Sequence, residues 1–100
     1  MLNNKMEKNG STELTVYLEG RLDTVTAPQF ESELKNAIEG ISTLSIDCGK
    51  LEYVSSAGLR VLLSAHKIMS KQGSMVVKNL TEEVKEIFDI TGFSDILTIQ

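Results

Sequence analysis

The sequence predicts an α/β domain built on a mixed, mostly parallel sheet of four to five strands with about three helices. Two observations carry that expectation. Apolar residues recur with a period of two in some segments, as at Leu14, Val16 and Leu18, and with a helical period in others, as at Phe30, Leu34, Ala37 and Ile38. The two kinds of segment alternate along the chain after an opening hairpin, an order that builds parallel strands through right-handed crossovers. With 100 residues, 41% of them hydrophobic, the chain suffices for one core and is too short for two, so residues 1–100 are read as a single domain.

Asn9-Gly10-Ser11 is a turn signal, and about Asn4 to Lys8 before it reads as a first strand of poor apolar content. Glu13–Leu22 alternates as a half-buried strand should. A helix is expected to start at Thr26, whose hydroxyl can cap, with Pro28 in the first turn, Gln29 three residues after the cap and Gly40 as the stop. Thr43–Cys48 is a short strand with Leu44, Ile46 and Cys48 on one face, and Gly49–Val54 reads as a connector.

Ser55-Ser56-Ala57-Gly58 opens the most apolar segment. Leu59, Leu62, Leu63, His66 and Met69 form one helical face and Val61, Ala65 and Ile68 a second, so this helix is expected to be largely buried, ending at Gly73. Met75–Val77 reads as a core strand. Thr81 caps a further helix with Glu82 and Glu83 in its first turn and Val84, Ile87 and Phe88 facing inward, and Gly92 stops it. Ile96–Ile99 reads as a final strand.

Composition narrows the function. Ten basic against fourteen acidic residues give a net charge of −4 with no basic stripe and no Trp, which argues against nucleic acid as a partner. No apolar run approaches the roughly 18 to 20 residues of a membrane span, since Arg60, Ser64, His66 and Lys67 interrupt the best stretch. The first ten residues lack a secretory pattern and Cys48 is the single cysteine, so a cytoplasmic setting is expected. One Cys and one His cannot assemble a zinc site, and there is neither a P-loop nor a GxGxxG, so no metal and no cofactor are expected.

Catalytic groups are scarce. His66 lies ten residues after Ser56 on the same predicted helix, about 15 Å away at 1.5 Å per residue, too far to act as its base. Cys48 in mid-strand reads as a buried structural thiol. What remains is the serine pair. A helix start offers unpaired N–H groups and the positive end of the dipole, where a phosphate on Ser56 would be well placed. The plainer reading makes Ser55 or Ser56 an N-cap and Gly58 a close-packing residue.

Asp47 to Leu59, DCGKLEYVSSAGL, resembles the signature of STAS domains, the family of bacterial anti-sigma factor antagonists, in which a similar D-x-x-x-L-x-aromatic run and a serine-glycine turn join a core strand to a helix. Gly20-Arg21-Leu22-Asp23, Pro28 with Phe30, and Phe88-Asp89-Ile90-Thr91-Gly92-Phe93 resemble further stations of the family, so that the likeness spans about residues 13–98. The resemblance implies a binding module, not an enzyme. In that family the unmodified antagonist binds an anti-sigma factor that is itself a serine kinase of the histidine-kinase-like ATPase fold, is phosphorylated by it and released, and is reset by a PP2C-type phosphatase. Carried over, Ser56 is the acceptor with Ser55 the alternative, and Asp23, Thr24, Ser55, Ser56, Ala57, Gly58 and Leu59 are the expected partner-binding residues.

Two departures from the family stand out. Ser55 replaces the Asp that precedes the acceptor in many antagonists, and the chain stops at Gln100 where the family commonly adds a helix, which leads us to expect a monomer or weak dimer. Two other readings remain open at this point: a STAS scaffold or ligand-sensing module without a switch, and a small Ser56-dependent phosphotransfer or hydrolytic enzyme.

Overall fold

Alternation along Glu13–Leu22 sends Leu14, Val16, Leu18 and Leu22 to one side, and in the computed structural model, which describes residues 1–100, all four are buried. This strand, β2, lies between β1 (Leu2–Asn9) and β3 (Thr43–Val54), with β4 (Ser74–Lys78) beyond, giving the sheet order β1-β2-β3-β4. β1 runs antiparallel to β2 across the predicted hairpin, while β2·β3 and β3·β4 are parallel. The expected mixed, mostly parallel sheet is therefore present, with four strands. Its helices are α1 (Ala27–Ala37), α2 (Ser56–Gln72) and α3 (Glu82–Thr91), followed by one 3₁₀ turn at Phe93–Asp95.

The two parallel crossovers step across the sheet in the same direction. Crossovers of one hand then place α1 and α2 on the same face, and α3 joins them there. Phe30 and Leu34 of α1, Leu62 and Met69 of α2, and Val84 and Phe88 of α3 meet the inward strand residues in a single apolar cluster of 24 buried residues. No buried polar or charged residue interrupts it. The other face of the sheet is open and carries Tyr17, 40% exposed, beside Glu19 and Lys5.

Several local expectations are corrected. The first strand is longer than Asn4–Lys8 because all eight residues Leu2–Asn9 find partners from Gly20 to Glu13. Gly49–Val54 is the second half of β3 and not a connector. Strict alternation fails there because two register shifts against β2, between Tyr17 and Glu19 and between Gly20 and Arg21, insert extra β3 residues, so the buried positions run Leu44, Ile46, Cys48 and then Leu51 and Val54.

At α1, Thr26 occupies the N-cap position but makes no capping hydrogen bond; its Oγ1 donates to the Arg21 carbonyl and accepts from the Asp23 N–H, both at 2.9 Å. Gln29 bonds Glu33 instead of returning to the cap. Leu63 of α2 is only half-buried, since the helix turns a narrower stripe to the core than its apolar content suggests. The final strand is reduced to one parallel bridge between Val77 and Ile99, held by Val77 N–H to Thr98 O and Gln100 N–H to Val77 O, both 2.8 Å. Gly92, left-handed at φ 81°, and the 3₁₀ turn after it use up the residues a longer strand would need.

Candidate functional site

The C-terminal ends of β2 and β3 lie side by side, and the chain leaves them in two turns that share one surface. After Leu22 it enters the Asp23–Thr26 turn; after Val54 it enters α2. The Ser55 N–H donates to the Leu22 carbonyl at 2.9 Å, so the start of α2 is pinned to the end of the neighbouring strand. Open ends of parallel strands are where α/β domains place their functional loops.

The two serines divide the available roles. Ser55 is the N-cap, extended at φ −89°, ψ 175°, and its Oγ accepts from the Gly58 N–H at 3.4 Å while its carbonyl accepts from Leu59 N–H at 2.9 Å. Ser56 is the first helical residue, exposed, with no hydrogen bond from its side chain to the rest of the protein. No acidic residue stands in the first turn of α2, in contrast to α3 with Glu82 and Glu83. The positive end of the α2 dipole is therefore uncompensated beside a free hydroxyl.

Gly58 fixes how closely the helix approaches the sheet. A Cβ there would lie 2.7 Å from both Cγ and O of Leu22 and 3.1 Å from Val54 Cγ1, contacts that real side chains do not make. Gly58 and Leu59 are themselves buried and seat the helix against the sheet, and Ala57 is half-buried.

Asp23 and Thr24 lie in the turn that follows β2. Asp23 Oδ1 accepts from the N–H groups of Val25 at 3.0 Å and Thr26 at 3.1 Å, a closed turn of the Asx type. The Thr26 N–H above all, helped by that of Val25, holds the Asp23 carboxyl below its ordinary range, against a smaller opposing effect of desolvation. Asp23 Oδ2 also stands 3.9 Å from Arg21 Nε, and the Arg21 guanidinium lies 4.4 Å above the centre of the Tyr53 ring.

Sequence reasoning missed three members of this surface. Val25 is 86% exposed at the tip of the Asp23 turn, and Tyr53 and Arg21 stack beside it. The signal for Val25 was an apolar β-branched residue in a turn too short to reach the core. Tyr53 could not be placed because the shifted register of β3 decides which way it faces. Elsewhere, burial first and Asp47 second push the Cys48 thiol up to about 12, so it is no nucleophile at neutral pH.

Fold, strand-end surface and serine turn together define a small domain of the STAS type, and comparison with known proteins agrees. The STAS domain model matches residues 3–100, and the chain belongs to that family. Among its relatives are BtrV of Bordetella bronchiseptica, named as a candidate anti-sigma factor antagonist, 39% identical over 86% of this chain and 76% of the relative, and the anti-sigma-B factor antagonist of Bacillus subtilis, 33% identical over 92% and 85%. Solved structures share the fold: an anti-sigma factor antagonist from Mycobacterium paratuberculosis at TM-score 0.89, with 21% identity over 99% of this chain and 85% of that one, and the antagonist SpoIIAA in its unphosphorylated form at TM-score 0.84, with 18% identity over 98% and 88%.

Proposed function

We propose that the chain is an anti-sigma factor antagonist whose binding is switched by phosphorylation of Ser56. The observation that carries the reading is the division of labour at the start of α2: Ser55 is committed to the cap, whereas Ser56 presents an unengaged, exposed hydroxyl on the same surface as Asp23, Thr24 and Val25. The names of the relatives support the antagonist role. The partner is an anti-sigma factor that is also a serine kinase, and a PP2C-type phosphatase resets the modified form.

The chemistry is simple for this chain. The kinase transfers the γ-phosphoryl group of ATP to Ser56 Oγ, ADP leaves, and the hydroxyl proton passes to a base on the kinase. The antagonist contributes the acceptor and its orientation, and no catalytic group. The product carries about −1.5 to −2 additional charge in the middle of the contact surface, which disfavours a docked partner through desolvation and like-charge repulsion.

Incubation with ATP and an anti-sigma factor serine kinase, read by intact mass and fragment sequencing, tests the reading. One phosphoryl group on Ser56, absent from Ser56→Ala, is the expected result. Stable binding with no phosphorylation would replace it with a non-switching scaffold, and phosphate on Ser55 would move the acceptor.

A further inference from the structure

We propose that Arg60 is the internal counter-ion of the phosphate on Ser56, so that phosphorylation changes the availability of two surface residues. The inference rests on Ser56 as the acceptor and deepens that reading.

Ser56 and Arg60 are four residues apart on α2, both exposed and on one helix face. Side chains on a helix lean toward its N-terminus, so a long side chain at position 60 can reach back over the turn that holds Ser56. An anion four residues N-terminal to a cation is also the more favourable of the two orders. Neither group is already engaged by another charge: the ion pairs of this protein are Lys5–Glu7, Arg21–Asp23 and Lys35–Glu31, and none involves Arg60.

Arg21 and the other cations of α2 are poorly placed to compete. Arg21 at the strand ends is held by Tyr53 and Asp23. Lys67 and Lys71 lie 11 and 15 residues along α2 from Ser56, roughly 16 Å and 22 Å away at 1.5 Å per residue. A phosphoserine presents three acceptor oxygens, and a guanidinium meets two of them in a planar fork, which a lysine cannot do. In the unmodified chain Arg60 is free to face a partner. In the modified chain it folds back onto the phosphate, and the surface loses a cation as it gains a dianion.

The experiment uses the full chain with phosphoserine installed at position 56 during translation, which removes the kinase from the test. Thermal midpoints are measured with and without the phosphate, in the native background and in Arg60→Gln and Arg60→Lys. We expect the phosphate to raise the midpoint by roughly 1 to 4 °C more in the native background than in Arg60→Gln, with Arg60→Lys between them. That excess should shrink in about 1 M salt, where screening acts over about 3 Å. Arg60→Gln without phosphate should melt with the native protein, since it breaks no ion pair. The Arg60 Nε–H resonance should move on phosphorylation. An identical effect of the phosphate in all three backgrounds, or an unmoved Arg60 resonance, overturns the inference. Because the phosphate is encoded, those results are independent of whether a kinase modifies Ser56.

Discussion

Leu22 accepts the Ser55 N–H at 2.9 Å and at the same time fills the space that any side chain at position 58 would need. One residue of β2 thus sets both the direction in which α2 leaves β3 and the distance at which it lies. The geometry of the serine turn is written partly in the neighbouring strand, and this has measurable consequences.

Replacing Gly58 with Ala gains helix propensity, about 1 kcal/mol, but drives a methyl to 2.7 Å from Leu22. Overpacking of this kind costs about 1 to 3 kcal/mol, so the clash wins. Gly58→Ala should lower the thermal midpoint, and partner affinity should fall as α2 is displaced. Gly73→Ala should be worse still, because its Cβ would run into the Ser42 backbone carbonyl, which cannot swing aside. A midpoint at or above the native value for either variant would contradict the packing described.

The adjacent serines should separate cleanly. Ser55→Ala removes the cap and should cost about 1 kcal/mol in chemical denaturation, whereas Ser56→Ala should stay within about 0.5 kcal/mol of native. The functional effects run the other way. Ser56→Ala should bind the partner and resist phosphorylation, and Ser56→Asp should remain folded while losing partner binding. Tight binding by folded Ser56→Asp would count against the switch.

Asp23 ties stability to acid pH. Its folded pKa lies below the unfolded value, so the unfolded chain binds more protons between the two, and the contribution of Asp23 is present above the unfolded pKa and lost as pH falls through the folded one. The stability difference between the native protein and Asp23→Asn should accordingly be largest from about pH 5 upward and shrink toward zero in stronger acid. Denaturant titrations of both proteins across that range give the comparison, and a difference that grows in acid would reverse the assignment.

Cys48 should behave as a reporter of global unfolding. Fully buried in β3, with its thiol pushed up to about 12 by burial, it should not react with thiol reagents in the native state at pH 8. Labelling should occur at the rate of unfolding and accelerate in step with denaturant. Rapid labelling without denaturant would mean that β3 opens locally.

Most of the architecture was legible because its elements obey one period each. Leu14, Val16 and Leu18 alternate, Val84 and Phe88 are one turn apart, and both match the structure. The failures lie where a local pattern yields to a partner in space. Leu51 and Val54 look like residues of a connector until the register shifts against β2 are known, and Thr26 looks like a cap until Arg21 and Asp23 claim its hydroxyl. Of the candidate site, Asp23 and Ser56 could be singled out from the motifs that hold them. Val25, Tyr53 and Arg60 could not, because exposure and the absence of a charge partner are properties of the folded surface.

The register shifts in β3 also act as a phase control. Buried positions at Leu44, Ile46 and Cys48 come every second residue, then at Leu51 and Val54 every third. Each extra residue rotates the remainder of the strand by half a turn, and two of them restore the facing with which the segment began. Removing or adding a single residue between Cys48 and Val54 would leave that rotation half complete, sending Tyr53 inward, Val54 outward and the axis of α2 away from the sheet. The distance along the chain from Cys48 to Ser56 is therefore a counted length, and its tolerance for insertion should be close to zero even though its exposed residues, Lys50 and Glu52, can vary freely in kind.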